Sequence, residues 1–180
     1  ITLNKGLVAS SNAFANESYT FAILDDITVP VSDNTASFNN VAIYEGIYLT
    51  STFTVNSFDP DQRFILENSG IDLSTLRVVV KPSQSSTVTR KYIQSDSLFD
   101  VTSESPVYFV HEVDGERYEL IFGDGIFGKK LDAPSFIEVS YLVTNGDLAN
   151  GIQNFNFSGK LTSSRDNISI SSGVSLLTTL

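Results

Sequence analysis

Over several stretches of this chain apolar side chains recur at every second residue, and no window of a dozen residues carries them at a clean helical spacing. Successive side chains on a strand point to opposite faces, so period-two alternation marks half-buried strands. From Val41 to Val55, the residues Val41, Ile43, Ile47, Leu49, Phe53 and Val55 share one parity, broken by Glu45 and Ser51. Tyr44, Tyr48, Thr50, Thr52 and Thr54 share the other. That run exceeds a strand of about five or six residues. It is either one strand bent near Glu45-Gly46 or two strands, with Gly46 the natural kink.

The segment from Val107 to Phe122 specifies a hairpin. Asp114-Gly115 lies between two alternating runs, the signal of a two-residue turn. That turn pairs Val113 with Glu116, Glu112 with Arg117, His111 with Tyr118, Phe109 with Leu120 and Val107 with Phe122. Opposite charges then meet at Glu112 and Arg117, and apolar residues meet on the other face. A slip of one residue would move the apolar set of one strand to the wrong side.

Further strands are expected at Arg63 to Leu66, Leu76 to Lys81, Tyr92-Ile93 and Phe136 to Val143. The three successive Val at 78–80 suit a strand buried on both faces. Leu98-Phe99 is read as a single helical turn. Asp59-Pro60-Asp61, Asn68-Ser69-Gly70, Asn145-Gly146 and Asn150-Gly151 read as turns. Short alternations at Phe155/Phe157 and Ile168/Ile170 suggest edge strands in the tail. The expected fold is all-β, built of antiparallel sandwich-like modules with little helix. Residues 1–60 form one expected module, with 146–180 as the segment that could complete it. Residues 61–145 form the other.

Composition narrows the functional classes. The chain has 180 residues, a formal net charge of -10 and no Cys, Met or Trp. Zero Cys removes disulfides, thiolate zinc sites, iron–sulfur clusters and thiol nucleophiles. The acidic balance argues against tracking a nucleic-acid backbone, where affinity comes mostly from Lys and Arg. An Ile start without any Met leads to the expectation of an internal piece of a longer polypeptide.

Gly123-Asp124-Gly125-Ile126-Phe127-Gly128 formally matches a nucleotide-binding glycine pattern. Such a loop must open a helix whose N-terminus meets the phosphates. Here Lys129-Lys130-Leu131-Asp132-Ala133-Pro134 follows, which has no helical apolar face, and Asp124 would set a carboxylate among phosphates. A structural turn is the better reading: glycines supply positive φ, Asp124 accepts from nearby backbone N–H groups, and Phe122 can pack against Phe127. His111 is the single histidine, and a Ser-His-Asp arrangement would have to use it. A strand position makes a half-exposed structural histidine the simpler account. Asp25-Asp26 and Asp59-Pro60-Asp61 offer oxygen ligands but lack the calcium-loop pattern. Asn16-Glu17-Ser18, Asn156-Phe157-Ser158 and Asn167-Ile168-Ser169 fit the glycosylation triplet, as composition alone would produce. Lys129-Lys130 is a small basic spot suited to a solvated turn. No catalytic, cofactor or metal residues are assigned.

The order Ile65 to Leu76, Val107 to Val110, Tyr118 to Gly128, Ile137 to Tyr141, Thr144-Asn145-Gly146 and Ala149-Asn150-Gly151 resembles the baseplate wedge proteins of T-even-like contractile-tailed phages. These belong to the wider baseplate J-like family. Tyr19-Thr20-Phe21 and Ile43-Tyr44-Glu45-Gly46 resemble its upstream region. The Phe-Gly-Asp-Gly-x-x-Gly segment at 122–128 is the most specific part. The resemblance implies a non-enzymatic building block without cofactor in the virion tail baseplate, assembled in the host cytoplasm. It would link wedges, form a ring around the hub, and contact other wedge proteins and copies of itself, with no nucleic acid and no membrane span. A rival expectation is a carbohydrate- or surface-binding β module of a tail fibre or adhesin.

Overall fold

In the computed structural model the described residues are 1–12, 17–59 and 61–163. They are almost entirely β. The strands are β1 (Thr2–Leu3), β2 (Gly6–Ser11), β3 (Thr20–Ile23), β4 (Ile27–Thr28), β5 (Tyr44–Glu45), β6 (Ile47–Thr54) and β7 (Phe64–Leu66). They continue with β8 (Ile71–Lys81), β9 (Arg90–Gln94), β10 (Val107–Val113), β11 (Arg117–Phe122), β12 (Phe136–Val143), β13 (Phe155–Phe157) and β14 (Leu161–Thr162). A short 3-10 turn at Gly146–Ala149 is the only helical element among the described residues. The chain divides into two compact units, Ile1–Tyr48 with Thr144–Leu180, and Leu49–Val143. The sequence-based boundaries at 60/61 and 145/146 thus differ by twelve and two residues from the observed ones.

The first unit is assembled from both ends of the chain. β1 lies between β14 and β4, and β2 lies between β13 and β3, with β5 beyond β3. Thr2 pairs with Thr162 and Ala9 with Phe157, all antiparallel. Alternation along β2 and β3 sends Val8, Phe21 and Ile23 into a core shared with Leu3 and Tyr19. Phe155 meets Phe21 edge-on at 4.9 Å between ring centroids, a favoured aromatic geometry. The tail alternation at Phe155/Phe157 is therefore a paired strand. Ile168/Ile170, Asn167, Asn16 and Pro60 lie outside the described residues.

The second unit is one sheet in the order β6-β12-β8-β9-β10-β11-β7. β9 and β10 are parallel, whereas β10–β11, β11–β7, β12–β8 and β8–β9 are antiparallel. Its two outermost strands, β6 and β7, curl toward each other until Phe53 and Phe64 touch edge-on at 5.6 Å. The expected layered packing is thus achieved by a sheet that nearly closes on itself. Leu66, Leu76, Val78, Tyr108, Leu120 and Ile137 fill its interior. Each aliphatic side chain buried there contributes about 1.5–3 kcal/mol. Between β5 and β6, Gly46 takes φ +138. The long alternating run is thereby split into two strands that join different sheets. Along β6, Leu49, Phe53 and the following Val55 pack against the core while Thr50, Thr52 and Thr54 are exposed.

The hairpin register departs from the expected one. His111 pairs with Glu119, Glu112 with Tyr118 and Val113 with Arg117. The connection is a three-residue loop, Asp114-Gly115-Glu116, because Gly115 (φ 84) and Glu116 (φ 56) both lie in the left-handed region. Glu116 therefore stays in the loop. Arg117 turns from Glu112 to bond the Asp114 carbonyl at 2.9 Å and the Glu67 carboxylate at 2.7 Å. The slip reverses the face of β10: Tyr108 and Val110, not Phe109 and Val107, face the core with Leu120 and Phe122. Phe122 sits among the rings of Phe64, Tyr92 and Tyr108. Burial pushes the Tyr108 phenol up to about 12. The helical turn expected at Leu98-Phe99 is instead a tight reversal, with Val101 N–H bonding Leu98 O at 3.4 Å and Asp100 at φ 62.

Candidate interaction surface

The glycine-rich segment after β11 is a turn held from within. The Asp124 carboxylate accepts from the amides of Ile126 at 2.8 Å and Phe127 at 2.9 Å. Those two donors hold its carboxyl below the usual range, the Phe127 amide most strongly. Gly125 and Gly128 take φ 93 and φ 88, as the sequence suggests for this motif. Gly123 is needed for a different reason. A Cβ there would lie 2.1 Å from the Gly128 carbonyl carbon, so the two backbones touch. The amide donors that would have met a phosphate are occupied by Asp124, which removes the physical basis of a nucleotide site at this turn.

The turn is stitched to the connection between β9 and β10. Gly128 N–H bonds Thr102 O at 3.0 Å, Lys129 N–H bonds Ser105 O at 2.7 Å, and Lys129 Nζ pairs with Glu104 at 2.8 Å. Lys129 is thus an internal tie of the loop cluster. Phe127 does not fold back on Phe122 as expected; it is 49% exposed, and Ile126 beside it is 70% exposed.

Strand directions place several loops at one end of this sheet. β8 ends at Lys81 opposite the start of β12 at Phe136, and Val55 N–H bonds Ser135 O at that same level. The loops at 55–63, 82–89 and 123–135 therefore share this end, and the 95–106 connection is bonded to it. Here Phe58 is 94% and Phe99 90% exposed, with Val88 and Leu98 also more than half exposed. The opposite end carries the acidic hairpin tip of Glu112, Asp114 and Glu116. Exposed apolar side chains gathered on neighbouring loops mark contact surfaces. The sequence signal was present in Ser57-Phe58-Asp59 and Leu98-Phe99, where large apolar residues interrupt polar loops. Nothing in the pattern of either segment announces exposure.

The remaining candidates stay dispersed. His111 projects from the exposed face of β10 opposite Glu119, whose carboxylate is gripped by Arg63 at 2.8 and 2.6 Å. Asp59 accepts from the Asp61 amide at 3.2 Å, which is turn chemistry. Among the described residues no three His, Asp or Glu side chains gather around a common point for a metal ion. Asn156 donates to Asn12 Oδ1 at 2.7 Å on the exposed side of β13. Shallow hollows occur beside Val29, Pro30, Ser32 and Asp33, and along the tip Glu112 to Glu116; neither is lined by an aromatic ring. No helix among the described residues is long and apolar enough to cross a membrane. No protein-family model matches the chain, and no curated protein matches it.

Proposed function

We propose that this chain is a structural component of a contractile phage tail baseplate, linking wedges and contributing to a ring around the hub. Its partners are other wedge proteins and copies of itself, and its place is the virion tail baseplate. The observation that carries this reading is the loop end bearing Phe58, Phe99, Ile126 and Phe127, whose exposure is explained by a partner surface. Aromatic residues are enriched in such interfaces. Of the segments that carry the family resemblance, those between Ile65 and Tyr141 lie on or beside strands of one sheet, β7, β8, β10, β11 and β12, while the upstream ones lie on β3 and β5 of another. A part that works by contact, and not by chemistry, accords with a glycine turn closed by its own carboxylate and a histidine on an open face.

The test is to co-express the protein with the tail proteins and image the particles by electron microscopy, alongside a Phe58→Ser/Phe99→Ser variant. Both positions are solvent-exposed, so the variant keeps its fold to within about 0.5 kcal/mol and fails to enter the particle. Wild-type protein that never enters a baseplate-like particle removes the proposal.

A further inference from the structure

We infer that the seam between β6 and β7 is a docking site for one extended strand of a partner protein, recognised mainly through its backbone. The inference concerns the main chain of β6 and does not depend on the baseplate reading.

The outermost strands of the three sheets are unequal. β14, β4, β13, β5 and β7 have two or three residues each. β6 has eight. Proteins blunt sheet edges with short strands, Lys, Pro or bulges, because a free edge recruits other strands. β6 is long, and Ile47-Tyr48-Leu49-Thr50-Ser51-Thr52-Phe53-Thr54 contains no charge and no Pro and is rich in β-favouring types.

The direction of its free groups follows from one bond. Val55 N–H points to Ser135 in the run leading into β12. In an antiparallel strand, alternate residues direct both N–H and C=O to the same side. Phe53 and Ser51 therefore face β12, while Thr50, Thr52 and Thr54 direct theirs into the seam. Thr54 agrees: its carbonyl accepts from Gln62 Nε2 at 2.8 Å, a side-chain cap on the outer edge. Among the described residues no strand pairs with the outer edges of β6 and β7.

Side chains alone span the seam. Phe53 meets Phe64, and Tyr141 Oη donates to Asn68 at 2.7 Å while lying 2.8 Å from Ser51 Oγ. The touching rings form a floor, so inward positions of an incoming strand must be small. Both rims lack charge, from Leu49 to Thr54 and from Phe64 to Leu66. Arg63 and Glu67, flanking β7, are already paired with Glu119 and Arg117. The ligand is thus an uncharged, extended peptide with small residues on alternate positions. Its main chain would hydrogen-bond the free rows, as in strand addition to a sheet edge.

Hydrogen exchange tests this on the intact chain, with a fluorescent peptide of alternating Ser and Val as the probe. In the free chain the Thr50 and Thr52 amides exchange faster than those of Ser51 and Phe53. Peptide at a hundredfold excess over its Kd slows them about 100-fold. Thr52→Pro removes an outward donor without removing a bond to β12, so peptide binding is lost and the melting temperature holds. Thr52→Lys, which keeps the amide and adds an edge charge, weakens binding if Pro disturbs the fold. The inference is overturned if Thr50 and Thr52 are already protected in the free chain, or if the peptide leaves their exchange unchanged. Undiminished binding by both variants also overturns it. So does equal protection that appears without peptide at raised chain concentration, because the occupant is then a second copy.

Discussion

The hydroxyl of Thr75 accepts a hydrogen bond from the backbone amide of Leu142 at 3.0 Å, standing in for a missing rung between β8 and β12. The ladder shifts there: Ser140 lies opposite Arg77, but Leu142 lies opposite Asp72. Thr75 is fully buried and its own proton goes to Asp72 O at 2.6 Å. Thr75→Val keeps the shape and removes the acceptor, leaving the Leu142 amide buried without a partner. The expected loss is about 1–3 kcal/mol, read as a lowered urea midpoint with an unchanged slope. Thr75→Ser should recover most of it.

Glu116 provides a test of the hairpin register. In the three-residue loop it holds φ 56, a region that costs an ordinary residue about 1–2 kcal/mol. Glu116→Gly relieves that strain, offset in part by the greater freedom of the unfolded chain. A net gain of about 0.5–1 kcal/mol in thermal stability is expected. Had Glu116 been the first residue of a strand, glycine would lower stability, so the sign of the change discriminates the two registers.

Gly123→Ala would place a methyl carbon 2.1 Å from the Gly128 backbone. No rotamer can relieve a contact between main chains, so the turn must open. The loss should lie at the upper end of the roughly 0.5–3 kcal/mol range for single substitutions. Exchange protection of the Gly128 and Lys129 amides should fall, while the β8–β12 ladder keeps its own.

Acid should weaken the outer face of β11. Arg63, through its hydrogen bond, holds the Glu119 carboxyl below its ordinary value, and His111 lowers it further. The folded state therefore binds fewer protons there than the unfolded state. That contribution is fully present above the unfolded value of about 4.3 and is lost as pH falls through the lower folded value. In Glu119→Gln, stability should depend less steeply on pH below about 4.3, with little difference between the two curves in their slope near neutrality.

Alternation in the sequence was enough to find β6, β12 and the hairpin strands, because burial on one face writes period two directly into residue type; of β8 the Val run marks only the half from Leu76 to Lys81, and Val79 is less buried than a strand covered on both faces requires. It could not fix the hairpin register. Asp114-Gly115 fits a two-residue turn, and nothing in Glu116 announces a left-handed backbone that non-glycine residues seldom adopt. Odd positions of β10 are the more apolar set, yet Tyr108 won the interior because Phe122 and Tyr92 provide its neighbours. The Asp124 turn was legible, since a short carboxylate between glycines has few other ways to satisfy itself. The apolar loop end was not, because exposure depends on which loops the topology brings together.

The pairing of Thr2 with Thr162 has a consequence for synthesis. Residues 49–143 contain all the strands of their own core except the first two residues of β6, so they can collapse as they leave the ribosome. The strands at the beginning of the chain must wait for β13 and β14, across a closure of about 160 residues that adds entropy only logarithmically but slows the search. Until then β1 and β2 stand with open flanks. The net charge of -10 makes copies of the chain repel one another during that wait, which works against their association.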